Sequence, residues 1–120
     1  MTMADNTIWT VNGAEFALDL QDADTAERYD NALDTLRDSM PDKDGLKHSE
    51  YIRAYCKTFR EFYDVLLGDG AAAKIFEGIK DNARTYTQTY ADFLAFVAKQ
   101  AATAQEEQQA IRRKYLPKSK

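Results

Sequence analysis

Near the start of the chain, two short apolar runs surround an Asn-Gly pair. Residues 8–11 are rich in strand-forming side chains, and residues 16–20 alternate between apolar and polar positions. Asn12-Gly13 between them favours the positive φ angles of a two-residue type I′ turn. The pattern predicts a short β-hairpin whose apolar face packs on helices of the same chain or pairs with another chain.

Further along, the apolar residues recur every three or four positions, which is the spacing of amphipathic helices. The first such stripe runs from Tyr29 to Met40 and ends at Pro41. Asp24 and Glu27 precede it at the spacing of a capping box, in which Asp24 would cap the helix.

A second helix is predicted over about residues 46–67. Its apolar positions are Ile52, Tyr55, Cys56, Phe59, Phe62, Tyr63, Leu66 and Leu67. Gly68 and Gly70 end it, because glycine adopts the left-handed conformation at low cost. A short amphipathic turn containing Ile75 and Phe76 follows.

The last helix is predicted to begin near Asp81 or Asn82 and to be long. Its apolar positions repeat at spacings of four and three, which is a heptad pattern, with Gln108 filling one gap. They are Tyr90, Leu94, Val97, Ala101, Ala104, Ile111 and Tyr115. Beyond residue 100 this seam consists largely of alanine.

These elements predict a mostly α fold, in which a short N-terminal β-hairpin precedes a bundle of three main helices plus one short helix. We expect residues 1–6 to be disordered and residues 7–100 to form the domain. Residues 101–120 are expected to be a helical extension with a basic tail. With 120 residues, 44% of them hydrophobic, the chain is long enough for one domain with its own core.

Charge is distributed unevenly along the chain. Residues 112–120 contain five of the 16 basic residues and no acidic residue, so residues 1–111 carry 20 acidic against 11 basic side chains. An acidic body repels phosphate backbones, so nucleic acid is an unlikely partner. The basic end is expected to be a solubilising tail, with DNA binding by residues 112–120 as a weak alternative.

Few residues of the chain are suited to catalysis or to metal binding. The chain has one histidine, His48, and one cysteine, Cys56. Cys56 lies within an apolar stripe, where a thiol is usually protonated and inert. We therefore expect no catalytic, metal or cofactor-binding site and no enzyme activity. No signal peptide or apolar run of about 18 residues is present, which predicts an intracellular protein without membrane contact.

Aromatic residues are numerous. The chain has seven tyrosines and six phenylalanines, mostly at helical spacing without adjacent lysines, which favours core packing over stacking on bases. The number of tyrosines nevertheless exceeds what a dry core usually holds. We expect some rings to remain at the surface as anchors of a protein interface.

The order of these features resembles a family of phage proteins. The motif Phe62-Tyr63-Asp64-x-Leu66-Leu67-Gly68-x-Gly70, followed by Lys74-Ile75-Phe76-x-Gly78, resembles the tail assembly chaperones of long-tailed phages of Gram-positive bacteria. The resemblance covers about residues 7–100. Within the motif, Gly68, Gly70, Ile75 and Phe76 are structural.

This resemblance implies a protein that coats the tape measure protein during tail assembly and recruits tail tube subunits. It further implies a location in the cytoplasm of the host bacterial cell, absence from the mature virion and possible homo-oligomers. The expected client-facing surface is Tyr90, Leu94, Val97, Ala101 and Ala104, although Tyr90 through Val97 fit closure of the domain's own core equally well. The alternative function is a small phage-encoded inhibitor or adaptor that binds a host defence or regulatory protein.

Overall fold

The computed structural model describes residues 6–115. Of the segment expected to be disordered, only Asn6 is among them, and residues 116–120 of the basic tail also lie outside the described range. The elements are β1 (Ile8–Val11), β2 (Ala14–Ala17), α1 (Ala23–Ser39), α2 (His48–Leu67), α3 (Ala71–Ile75) and α4 (Ala83–Tyr115). This order confirms the predicted mostly helical fold with an N-terminal hairpin, three long helices and one short helix.

The hairpin has the predicted turn. β1 and β2 pair antiparallel across a two-residue loop, in which Asn12 has a φ of 50° and Gly13 a φ of 78°. Two positive φ angles define the type I′ turn that suits the twist of paired strands. The Asn12 side-chain amide donates hydrogen bonds to the carbonyls of Ile75 and Glu77, both at 3.1 Å. The tip of the hairpin is therefore held against the end of α3.

The apolar face of the hairpin packs on helices of its own chain. Trp9 is 5% exposed, stacks on Tyr63 with ring centroids 5.6 Å apart and meets Phe93 edge-on at 5.1 Å. Leu18, just after β2, is also buried. The hairpin thus contributes its largest side chain to the centre of the core, which supplies the packing that an isolated hairpin lacks.

The first helix begins differently from the prediction. Asp22 caps α1, because its carboxylate accepts from the backbone N–H of Thr25 at 3.0 Å. Assigning the cap to Asp24 was wrong, since Asp24 lies inside the first turn, where a negative charge interacts favourably with the helix dipole. Several acidic residues in this segment suit a helix start, and only the backbone geometry selects the cap. At α4 the predicted start is confirmed, as Asn82 accepts from Thr85 N–H at 3.1 Å.

Helix α2 supplies more of the buried side chains than any other element. Its fully or almost fully buried side chains include Cys56, Phe59, Phe62, Tyr63 and Leu66. The Tyr63 hydroxyl is buried and has no hydrogen-bond partner among residues 6–115. None of the helices in this range is both long and apolar enough to cross a lipid bilayer.

Aromatic rings pack against one another instead of remaining at the surface. Among the described residues, Tyr115 is the aromatic side chain that the structure leaves exposed, at 65%. The prediction that some rings remain at the surface therefore holds for Tyr115, whereas the other described aromatic side chains are buried or half-buried. Neighbouring rings cover each other in edge-on or stacked pairs, as in Tyr55 against Phe59 and Phe76 against Tyr86.

Candidate protein-binding site

Helix α4 passes from the core into solvent along its length. Its 33 residues span about 50 Å, and it continues unbroken through the expected boundary between residues 100 and 101. Residues 83–104, the packed segment, contact the rest of the domain. Every residue from 105 to 115, which we call the arm, is exposed.

The packed segment buries a heptad seam that is shifted from the predicted one. Its core-facing positions recur at spacings of four and three. They are Tyr86, Tyr90, Phe93, Val97, Gln100 and Ala104. The predicted seam contains three of these positions and differs at Leu94 and Ala101, each one residue beyond a buried position.

The structure therefore divides the expected client-facing set. Tyr90 contacts the rings of Phe59 and Phe62, with centroids 5.2 and 5.5 Å apart, and Val97 packs against the same core. Tyr90 and Val97 thus close the protein's own core, which is the alternative that the sequence left open for Tyr90 through Val97. Ala104 is buried as well, which the sequence did not predict. Leu94 and Ala101 are exposed.

Leu94 and Ala101 belong to a larger uncharged surface. Residues three and four apart lie on the same side of a helix, and here such positions carry only alanine and leucine. This outer face of α4 consists of Ala91, Leu94, Ala95, Ala98, Ala101 and Ala102, all of them exposed. Alanine side chains allow a second helix to approach closely, so the outer face can accept a helical partner.

Gln100 fixes the position of α4 and was not recognised from the sequence. It is 4% exposed, and its amide oxygen accepts from Leu20 N–H at 2.6 Å. Its amide nitrogen donates to the carbonyls of Asn6 and Leu18, at 2.7 and 2.8 Å. These three hydrogen bonds join α4 to the segments beside the hairpin. The sequence signalled the burial of Gln100 in one way only, through a second possible heptad register of α4 that includes position 100.

The residues of the motif from Phe62 to Gly78 hold the connection between α2 and α4. Gly68 and Gly70 have φ angles of 102° and 92°, which favour glycine. Ile75 and Phe76 are buried, and the Phe76 ring stacks on Tyr86 at 3.9 Å. Each of these four residues thus has a structural place in the fold.

Of the grooves beside α4 in the described part of the chain, two lie at the ends of the packed segment. One, of about 620 Å³, lies between the N-terminal ends of α2 and α4 and is lined by residues including Lys43, His48 and Arg84. The other, of about 370 Å³, lies at the base of the arm and is lined by residues including Asp19 and Ala104. We call this second site the arm-base groove.

The side chains that could take part in chemistry have structural roles in the described part of the chain. Cys56 is fully buried, and burial, reinforced by the nearby Asp81 carboxylate, raises the pKa of its thiol. Arg60 forms an ion pair with Asp81 at 2.8 Å and donates to the Tyr86 hydroxyl at 3.1 Å. Within residues 6–115, no group of three or more His, Cys, Asp or Glu side chains is placed to hold a metal ion.

Comparison with known proteins gives one match. A model of a family of unknown function, DUF6673, matches residues 12–120. The chain belongs to the DUF6673 family. No curated protein and no solved structure matches this DUF6673 protein. Because the match includes both the packed segment and the arm, both are part of the domain that the family shares.

Proposed function

We propose that this DUF6673 protein acts without catalysis, by binding a helical segment of another protein on the outer face of α4. The observation that carries this proposal is that the exposed side chains of this face, from Ala91 to Ala102, are uncharged. A helical client can bury Leu94 there while its backbone approaches the alanines closely.

The outer face lies on a rigid support. Opposite it, Phe93 is fully buried among aromatic rings, and Gln100 is hydrogen-bonded to the segments beside the hairpin. A surface held in one conformation loses little entropy when it binds. Since alanine offers little apolar area, the contact is expected to be weak, which suits a client that is later released.

The client that we propose is the tape measure protein of a long-tailed phage, and the role is that of a tail assembly chaperone. The support is the resemblance of the motif from Phe62 to Gly78, together with a surface that fits a long helical client. In this role the protein coats the tape measure protein in the bacterial cytoplasm, brings tail tube subunits to it and is absent from the mature virion.

Co-expression with a tape measure protein from the same genome tests the proposal. The wild-type chain should retain the client during purification, and Leu94→Glu should reduce its retention at least about tenfold, because a charge would be buried in the contact. Val65→Glu is the matched control, since Val65 on α2 and Leu94 are both 39% exposed. Retention by Leu94→Glu, or stoichiometric amounts of the protein in purified virions, would contradict the proposal.

A second candidate function rests on the acidic surface of α1. Its exposed acidic side chains are Asp24, Glu27, Asp30, Asp34 and Asp38. Such a surface can occupy a basic groove of a host protein, as expected of a phage-encoded inhibitor or adaptor. This function predicts one host partner whose binding weakens with salt and is lost in Asp30→Lys/Asp34→Lys but kept in Leu94→Glu. The opposite result in these two variants would favour the chaperone.

A further inference from the structure

Beyond its base the arm packs on no described part of the body, and its apolar positions leave the buried register of the packed segment, which would continue at Glu107 and Lys114. The seam positions there repeat at spacings of four, three and four, so they lie on one side of the helix. They are Ala104, Gln108, Ile111 and Tyr115. Ile111 is 55% and Tyr115 is 65% exposed, whereas Ala104 at the base is only 9% exposed.

This seam is complementary to itself when two copies run antiparallel. In antiparallel coiled coils, a positions of one helix face d positions of the other. The register that centres the two arms on each other places Ala104 opposite Tyr115 of the second copy, and Gln108 opposite Ile111. A small residue then faces the largest one in each outer layer, which is the packing that a close helix pair requires.

The charged residues of two antiparallel arms are also complementary to each other. Glu106 and Glu107 are near its base, whereas Arg112, Arg113 and Lys114 are near its tip. Antiparallel pairing therefore places acidic residues beside basic ones in both halves of the contact. In the heptad, Glu107 and Lys114 both occupy g positions, which face each other between antiparallel helices. A parallel pair would instead align the basic tips of both copies.

The arm-base groove offers a place for the tip of a second arm. Ala104, Glu107 and Gln108 line this groove together with Asp19 and Gln21 of the body. In the antiparallel register, Tyr115 of the second copy lies next to Ala104 and thus at the groove, and the basic residues beside it approach the carboxylates of Asp19 and Glu107. The volume of about 370 Å³ is ample for one tyrosine side chain.

We infer that the protein forms a two-fold symmetric dimer, in which two arms pair antiparallel and each Tyr115 enters the arm-base groove of the other copy. The contact repeats the same surface on both copies, as a two-fold interface requires. The overlap comprises about three helical turns. So small an interface belongs to the weak class. This inference goes beyond the proposed client binding, because the dimer uses residues 104–115, whereas the outer face of α4 ends at Ala102.

Sedimentation equilibrium of the full chain over a wide concentration range tests the dimer. Ile111→Asp should weaken dimerisation at least about tenfold, because a carboxylate would lose its hydration in the seam. The matched control, Val65→Asp on α2, should dimerise as the wild type does. A wild-type chain that stays monomeric at every concentration would overturn the inference. The exposed seam of the arm would then have to bind a different protein. Equal losses in both variants would also overturn it.

A charge exchange tests the antiparallel direction. Glu107→Lys and Lys114→Glu should each weaken the dimer several-fold at low salt, and the double variant should recover most of the loss, because each new lysine faces a new glutamate. In a parallel dimer, Glu107 would face Arg112 of the second copy, and the exchange at Lys114 could not restore that pair. Failure of the double variant to recover would overturn the antiparallel arrangement.

Discussion

The packed segment and the arm of α4 belong to one unbroken helix with one heptad period, yet their environments differ. Phe93 in the packed segment is fully buried among the rings of Trp9, Phe62 and Tyr63, whereas Ile111 in the arm is 55% exposed. The period determines which side of a helix is apolar. It does not determine whether another element covers that side, since this depends on where the rest of the body ends.

The arm also depends on the packed segment for its helical state. Isolated helices shorter than about 12–15 residues are marginal in water, because nucleation is costly. The arm, residues 105–115, is shorter than that. Tertiary contacts nucleate the helix in the packed segment, and the arm propagates it at the lower cost of one hydrogen bond per residue. The two parts therefore differ in what stabilises them as well as in exposure.

The largest expected contrast is in core packing. Phe93→Ala should lower the free energy of unfolding by about 3–5 kcal/mol, because it leaves a cavity among packed rings. Ile111→Ala in the arm should lower it by less than about 0.5 kcal/mol. Urea denaturation followed by circular dichroism, at a protein concentration low enough to avoid dimers, measures both. Similar losses in the two variants would contradict the distinction between packed segment and arm.

A smaller contrast is expected between two glutamines of α4. Gln100→Leu should cost about 2 kcal/mol, because it leaves the buried N–H of Leu20 and the carbonyl of Leu18 without their partner. Gln108→Leu, which removes an exposed amide 3.3 Å from Gln21, should cost less than about 0.5 kcal/mol. Hydrogen exchange at the Leu20 amide should accelerate in the first variant only. Unchanged protection of that amide would show that Gln100 does not anchor the hairpin segment.

The smallest expected effect is a loss of stability at high pH. Burial, together with the charges that Tyr90 and Asp92 carry when ionised, raises the pKa of the Tyr63 hydroxyl. Below about pH 9, folded and unfolded chains both keep this proton, so the stability is complete. Above about pH 10 only the unfolded chain releases it, which lowers the free energy of unfolding by about 0.8 kcal/mol at pH 10.5.

Urea denaturation at pH 7 and 10.5 measures this effect. Tyr63→Phe should be at least as stable as the wild type at pH 7, because it removes a buried hydroxyl that has no partner among the described residues, and it should lose less stability at pH 10.5. Tyr115→Phe in the arm is the matched control and should keep the wild-type loss. A Tyr63→Phe variant that loses as much as the wild type would contradict the assignment of this loss to Tyr63.

Much of the fold could be predicted because its signals are local. The Asn12-Gly13 turn requires only its own backbone preferences, and the apolar stripe of α2 follows from helical period alone. Asp22 as the cap of α1 could not be chosen, because several neighbouring aspartates suit a helix start equally well. Gln100 could not be found, because a polar residue is buried only where distant backbone groups satisfy it.

Only part of the candidate site could be predicted, because burial depends on residues that are distant in sequence. Tyr90, Val97 and Ala104 lie on the core side of α4, and Leu94 and Ala101 lie on the outer face, yet all five fit one heptad pattern. Two heptad registers that are offset by three residues share every second position, so spacing cannot separate them. The rings of α2 and the hairpin, which are distant in sequence, select the buried register.

Local patterns of residues were sufficient to predict the hairpin turn, the number and order of the helices and the charge division of the arm. These properties depend on backbone preferences, on period and on composition, which act over a few neighbouring residues. Tertiary packing settled which side of α4 is covered and which aromatic rings are buried. It also decided that the arm is left exposed. Burial is a property of surfaces that meet from distant parts of the chain, and no local pattern contains that information.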